Sequence, residues 1–496
     1  MIQTSSSATT RSRLALRLLG PEDAERVYVA ALERLAVHGV VPAGSESREA
    51  LVLAGARDAD ETAAGEGALT LWAEIVEEAA ARAPKRVVLG GRAADDDVVL
   101  EAGAALLGAG GLPAPHAEPL AGGPPRDATE DDLRDACGLA DALADVSVVV
   151  GPPLATAPAA DEVGGAADIV RAVTATAKHV QLTCLSSVGV AAAAASIAAA
   201  LRDDEAGLRR RPPLSLLGDA GSFAAAAALA SRGLPVGTPL AATLAALARS
   251  GSRDTASAGA KPSNEPTPAT LTKAIVAFVA DVLAANTAFQ ALAPGAAFIA
   301  PVWPALAGLP AAGPDAAIFI VAATQVLTRA GLPVCAAAYA TSAAEPDWLA
   351  CTDGSFAALS AAAAGASLLT GAGTLCGGAV FSPRQLVADA EIHSWCVAVA
   401  TGIPVDDETL SVDTIKQVGI GGNFLGQRHT RQHMKDVWRP RLLDRTSWDA
   451  WVADGRPGAA DKAAELAGAL LAAHEVDQLD SEPAATLERI IATAGL

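Results

Sequence analysis

The sequence predicts a (β/α)8 TIM barrel with an N-terminal helical and small-β extension and a C-terminal helical segment. Three observations lead there. From about residue 131, short apolar runs alternate with Ala/Leu-rich helical stretches, the pattern of parallel strands joined by crossover helices. Such a sheet is either open or closed, and no Gly-x-Gly-x-x-Gly follows the first strand, which lowers the case for an open dinucleotide-binding sheet. Finally, 496 residues of which 51% are apolar supply the core of one large barrel. The closed ring is favoured.

In chain order, residues 1–13 are polar and Ser/Thr-rich and read as a disordered tail without a signal core. Residues 14–130 form the extension. A helix opens at Pro21, with Glu22 and Asp23 in its first turn. A second helix spans roughly 67–83, with Leu69, Leu71, Trp72, Ile75 and Val76 at mixed three-to-four spacing. A short strand at Arg86-Val-Val-Leu precedes a Gly/Pro-rich stretch from Gly108 to Pro125. The barrel core is expected over 131–410, with strands near 146–151, 180–185, 214–217, 297–303, 334–339 and 367–370. Helices are expected between them at 190–201, 220–231, 271–291, 315–330 and 354–364. The polar run 250–268 reads as a surface loop, either a tolerated insertion or a lid. Residues 411–496 form a C-terminal segment packed on the barrel.

A net charge of −20 argues against nucleic acid, which needs a basic surface. The six cysteines are scattered singly, with no Cys/His cluster, so neither a disulfide framework nor a metal site is expected. No membrane span is expected, because the Ala-rich runs are too short. A reduced, cytoplasmic setting fits these features.

The most specific text lies late in the chain. Gly419-Ile-Gly-Gly-Asn-Phe-Leu-Gly-Gln-Arg-His-Thr-Arg-Gln-His, followed by Trp438-Arg-Pro-Arg-Leu-Leu-Asp-Arg, resembles a signature of the trimethylamine methyltransferase family, which includes glycine betaine methyltransferases without pyrrolysine. Gln385-Leu-Val-Ala-Asp-Ala-Glu391-Ile, the stretch from Gly402 and the segment Tyr339 to Asp347 look like the same family's text, as does the helix holding Asp281 and Gln290. The likeness is strong over 380–455, moderate over 280–380 and faint from 20 to 240. This chain departs at Asn423 for His, Ile420 for Pro, Leu349 for Gln and Val279 for Asn. The resemblance implies a barrel that moves a methyl group from a methylated amine to Co(I) of a separate corrinoid protein. It implies no tightly bound cofactor, cobalamin being carried by that partner. No pyrrolysine is present in the sequence, which by the same resemblance points to quaternary, betaine-like amines.

A permanent cation without N–H groups is held by aromatic faces and distant carboxylates. Substrate-binding candidates are therefore Tyr339, Glu345, Asp347, Asp281, Glu391, Trp303 and His429. Each has a plainer alternative. Tyr339 packs, Asp347 caps a helix, and Asp281 and Glu391 solubilise helix surfaces. His429 and His433 share a helical face but lack a third metal ligand, so they either line a cavity or tie down the C-terminal segment. Gly421, Gly422, Asn423, Thr430 and His433 are the loop or partner-facing candidates, the glycines for positive φ or close approach. Trp438, Trp448 and Trp451 fit the barrel bottom or a subunit contact, and a homo-oligomer is expected. No residue is assigned as catalytic, and no metal ligand is assigned. A second reading is a catalytically lapsed barrel that binds methylated amines or docks a partner without turnover. A third is an unrelated barrel lyase or aldolase, which needs a metal or a Schiff-base lysine, Lys178 being the one lysine placed near an expected barrel strand.

Overall fold

The computed structural model describes residues 16–59, 67–156, 162–240, 270–443 and 445–494. The tail 1–13 and the polar loop 250–268 lie outside the described residues. Eight strands run parallel in one sheet: β1 Leu106–Ala109, β2 Val146–Gly151, β3 His179–Thr183, β4 Leu214–Leu217, β5 Val236–Gly237, β6 Ala300–Val302, β7 Val334–Ala336 and β8 Leu368–Ala372. β8 pairs with β1. The ring closes between β5 and the start of β6, where Val236 N–H donates to Ala297 O and Ile299 N–H to Val236 O, both at 2.9 Å. The helices that follow each strand are α4 Glu130–Ala142, α5 Glu162–Thr174, α6 Val188–Ala200, α7 Phe223–Ser231, α8 Leu271–Leu292, α9 Pro314–Arg329, α10 Trp348–Ala364 and α11 Pro383–Thr401, counted after three helices of the extension, α1 Pro21–Val37, α2 Ser45–Ala54 and α3 Ala73–Arg82. This is a closed (β/α)8 barrel.

Strand alternation sorts the side chains. Val148 and Val150 of β2, Leu217 of β4, Cys335 of β7 and Leu368 of β8, with Ile299 just ahead of β6, pack as one cluster, which marks the barrel interior. The hairpin Val87–Leu89/Val98–Leu100 adds Val87, Leu89 and Leu100 to that cluster. It sits at the amino edge, because Gly90 N–H donates to Pro212 O and Arg92 N–H to Ala177 O just ahead of β4 and β3. The hairpin therefore plugs the bottom of the ring.

Two strands escape the sequence pattern. β1 runs into the start of the expected Gly/Pro-rich stretch and lies ahead of residue 131, so the ring begins earlier than expected. Its Gly108 reads as a loop residue, yet a Cβ there would stand 2.8 Å from Val150 Cγ2 and 3.0 Å from Thr370 Cγ2. The glycine is there for close packing inside the barrel. β5 is only two residues long, and a Cβ on Gly237 would meet Ile299 O at 1.8 Å. Helix α10 starts at Trp348, six residues before the expected 354.

The extension has a physical purpose. α8 is apolar on every face, and its 18-residue window reaches a mean hydropathy of 1.7. By length and composition alone it could cross a membrane, but 78% of that window is buried. α1, α2 and α3 pack over it and hide the flank that a barrel helix ordinarily shows to water. At the other end of the chain, Ala459–Ala473 lies on α11 and α4, and Ser481–Ala494 on α5 and α6.

Candidate active site

Barrels keep their chemistry at the carboxyl edge, and the inward face there is not purely aliphatic. Gln181 of β3 is fully buried, its Nε2 3.8 Å from Cys335 Sγ of β7, while its Oε1 has no hydrogen-bond partner. Cys335 Sγ lies 4.0 Å from Thr370 Oγ1 of β8. Burial pushes the Cys335 thiol up to about 11, so it is neutral and no nucleophile at pH 7. Trp303, the first residue after β6, packs its half-buried indole on the interior cluster beside that thiol. The indole Nε1 is buried without a full hydrogen bond. Thr183, at the end of β3, donates to Gly111 O just past β1 at 2.8 Å. A pair of groups with unspent hydrogen-bonding capacity under an aromatic rim is what a small polar ligand requires.

The other expected site residues go elsewhere. Tyr339 does not face the mouth. β7 ends at Ala336 and the chain turns, with Ala338 N–H bonded to Ala336 O, so the ring swings out into the helix layer. There Tyr339 is 1% exposed, next to Gly354 of α10, with its hydroxyl 3.2 Å from His393 Nδ1 of α11. Burial lifts its phenol well above the ordinary range. Asp281, expected on a solvated face, is fully buried and accepts Leu240 N–H at 3.0 Å, holding the chain just past β5. Glu391, also expected outside, is 2% exposed and accepts the N–H groups of Arg441, Leu442 and Leu443 at 2.8, 3.2 and 3.3 Å. Arg441 also pairs with Asp145. Glu391 therefore ties the C-terminal segment to the barrel wall. Glu345 is exposed.

Asp347 is exposed and caps α10, its Oδ1 accepting Leu349 N–H at 2.8 Å and Ala350 N–H at 3.1 Å. Asp347→Ala is expected to lower stability by about 1 kcal/mol, the usual worth of an N-cap. Asn, which caps equally well, should restore the thermal midpoint. A rise in substrate KM with an unchanged midpoint would instead make Asp347 a ligand.

The late signature lies on a separate arm. α11 begins at the carboxyl edge, where Asp389 receives Gly373 N–H at 2.8 Å just after β8, and its 19 residues run about 28 Å to the amino edge. The arm leaves from that far end. Gly421, Gly422 and Asn423 are exposed, and Thr430 is half-buried. Gly421 has φ +75°, and a Cβ on Gly422 would meet Val418 O at 2.3 Å. Asn423 Oδ1 accepts Leu425 N–H at 2.8 Å, His429 Nε2 lies 2.9 Å from Glu408 O, and His433 Nδ1 lies 2.6 Å from Asp436 Oδ2. The two imidazoles sit 4.4 Å apart. All these bonds stay within the arm, and none reaches the chain's own barrel mouth. Among the described residues no His/Cys/Asp/Glu cluster suited to a metal is present. Lys178, also considered as a Schiff base, is half-buried at the amino edge, donating to Ala140 O and Leu143 O at 2.7 and 2.8 Å, far from the mouth.

Gln181 and Thr370 escape sequence reasoning. The available signal is a polar residue at an inward position of an otherwise apolar strand. Asp389, whose carboxyl is raised to about 7 by burial against the Gly373 and Gln385 bonds, escapes it too, because its helix spacing looks ordinary.

A closed parallel ring with a polar-lined carboxyl edge and a plugged amino edge defines the chain as a (β/α)8 barrel. The family model for trimethylamine methyltransferase (MTTB) matches residues 243–494, just over half of it, and the chain belongs to that family. It is 35% identical over 182 residues to the trimethylamine methyltransferase MttB of Methanosarcina barkeri, covering 37% of each chain. It is 38% identical over 130 residues to MttB of Desulfitobacterium hafniense (strain DSM 10664 / DCB-2), covering 26% of each. It is also 28% identical over 235 residues to the glycine betaine methyltransferase of Desulfitobacterium hafniense (strain Y51), covering 46% of this chain and 49% of that one. In each case the match spans less than half of the relative's length. Among solved structures, the Methanosarcina barkeri monomethylamine methyltransferase aligns over 96% of this chain and 88% of its own, at 11% identity and a TM-score of 0.47.

Proposed function

We propose that this chain transfers a methyl group from a quaternary, betaine-like amine to Co(I) of a partner corrinoid protein. The cobalt is a second substrate brought by that partner. The N–CH3 bond breaks with its electron pair staying on nitrogen, and the carbon is taken by Co(I), a two-electron donor. The departing tertiary amine is neutral, so no general acid is required. The protein's work is to orient the N–CH3 bond outward and keep water away, and orientation of this kind supplies roughly 7–11 kcal/mol in favourable cases.

The observation that carries the reading is Trp303, a half-buried indole at the inner carboxyl edge above the Gln181–Cys335–Thr370 layer. Its face suits a cation that cannot donate hydrogen bonds, for about 0.5–2 kcal/mol. Leu112 after β1 and Val188 at the start of α6 stand exposed at the same carboxyl edge. Family membership supports the reaction class, and the resemblance to a glycine betaine methyltransferase is compatible with the substrate class.

The test is anaerobic incubation with chemically reduced cobalamin and a panel of methylated amines, following loss of the Co(I) absorption. Turnover is expected with a betaine and not with trimethylamine. Turnover with trimethylamine alone would overturn the substrate class. Calorimetric binding of a betaine with no turnover on any amine would establish the lapsed-barrel alternative.

A further inference from the structure

Past the ends of the strands the barrel opens. Gly111, Cys184, Asp219, Trp303 and Ala337, beyond β1, β3, β4, β6 and β7, are half-buried where the strand residues beneath them are buried. Within three residues of the carboxyl end of any of the eight strands, Asp219 is the one charged side chain. A carboxylate alone in an otherwise uncharged opening favours a cation.

Its direction follows from the strand. Leu217 of β4 belongs to the interior cluster. Gly218 continues the ladder, its N–H donating to Gly237 O at 2.9 Å, and Asp219 keeps extended backbone at φ −83° and ψ 178°. Two residues on from an inward position is inward again, so Asp219 enters the mouth on the same face as Trp303. Only β5 separates β4 from β6, and two strand spacings set the pair about 10 Å apart, with room for an ammonium head between carboxylate and indole. Cys184 fixes the backbone there. It holds φ +49°, a strain that collects at functional sites, and its thiol, pushed up to about 12 by burial and then by the Asp219 charge, takes the Asp219 N–H. Among the described residues the Asp219 carboxylate has one hydrogen bond, from Ser222 Oγ at 3.3 Å, and no ion pair. It precedes the 3-10 turn Ala220–Ser222 without a side-chain cap bond.

We propose that Asp219 holds the ammonium end of the substrate, facing the nitrogen from β4 while the Trp303 indole covers it from β6, so that the mouth selects a permanent cation over an uncharged group of the same shape. The identity of the ligand rests on the methyl-transfer reading. Asp219 then has a kinetic signature. As the methyl departs, the N–CH3 electron pair stays on nitrogen and the positive charge beside the carboxylate disappears. The attraction is fullest in bound substrate and fades toward the transition state, so it lowers KM and adds nothing to kcat.

Asp219→Asn is the test, because the amide keeps an acceptor for Ser222 and nearly the same volume while removing the charge. In calorimetry without cobalamin, wild type is expected to bind betaine at least about tenfold more tightly than the analogue with a quaternary carbon in place of nitrogen. The variant is expected to lose that preference with an unchanged thermal midpoint. With reduced cobalamin added, its KM for betaine is expected to rise about 10- to 100-fold without loss of kcat. A wild type indifferent to the nitrogen, a variant that keeps the preference or a wild-type KM, or a variant whose lost binding is matched by a lowered midpoint would each overturn the inference and leave methyl transfer standing. Lost preference in the variant of a protein that turns over no methylated amine would uphold Asp219 and sink the methyl-transfer reading instead.

Discussion

Replacing Asp389 with Asn is expected to stabilise the protein at pH 8 and to lose that gain, or turn mildly destabilising, by pH 5. Asp389 is 1% exposed, and burial raises its carboxyl from 3.8 to about 7 despite hydrogen bonds from Gly373 N–H and Gln385 Nε2, each at 2.8 Å. The folded protein therefore keeps a proton that the unfolded chain loses between those values, and stability falls as pH climbs from 3.8 through about 7. At pH 8 the ionised carboxylate costs on the order of 4 kcal/mol relative to a group with its ordinary value. Asn removes that cost and keeps an acceptor for Gly373. Gln385 Oε1, which now has no partner, can turn to accept the new amide N–H. A net gain of about 1–3 kcal/mol at pH 8 is expected, after allowance for imperfect repacking. His393, one helical turn on, behaves in the opposite sense. Burial lowers it from 6.5 to about 4, so its contribution is full above 6.5 and lost as pH falls toward 4. In wild type the two windows overlap and partly cancel, leaving a shallow pH profile between 4 and 7. Asp389→Asn removes one of the two and exposes a steeper acid loss. Thermal midpoints at fixed scan rate across pH 4–8 check both claims. A variant destabilised equally at pH 5 and pH 8 would show that Asp389 is ionised throughout.

How much of this is legible in the sequence follows from the physics of each element. Strands such as Val146–Gly151 are buried along most of their length and announce themselves as apolar runs broken only by Ser147. The four-residue β1 and two-residue β5 cannot, because glycines occupy the inward positions where a side chain would clash. α8 is legible to within one residue, 271–291 against Leu271–Leu292, since Ala-rich periodicity is strongest in a helix buried all round. The site is harder to read. Asp281 and Glu391 look like surface carboxylates in a helical register, and only tertiary packing shows Leu240 N–H and the 441–443 backbone waiting for them. Tyr339 follows a strand and would ordinarily point into the mouth. The turn closed by Ala338 N–H and Ala336 O sends it outward, and single-sequence periodicity does not register one turn. Trp303 is legible because the residue after a barrel strand, two on from an inward position, is inward again.

Trp303→Ala is expected to raise KM for the methylated cation by about 3- to 30-fold, the range that follows from stripping one aromatic face from a cation in a partly dry site. Removing the indole also takes packing away from the interior cluster that it covers, so the alanine variant alone would confuse binding with folding. Trp303→Phe separates the two. Phenylalanine keeps an aromatic face and most of the apolar volume but removes the buried N–H beside Cys335. If the face does the binding, the phenylalanine variant stays within about threefold of wild type in KM and folds normally. If the indole N–H is what the ligand uses, phenylalanine behaves like alanine in KM while its thermal midpoint stays near wild type. A variant pair that changes kcat and leaves KM untouched would place Trp303 in orientation of the departing methyl, because an interaction made only in the transition state leaves ground-state binding unchanged. An alanine variant with wild-type KM and kcat would remove the indole from the reaction altogether, and with it the aromatic face on which the proposed cation site rests.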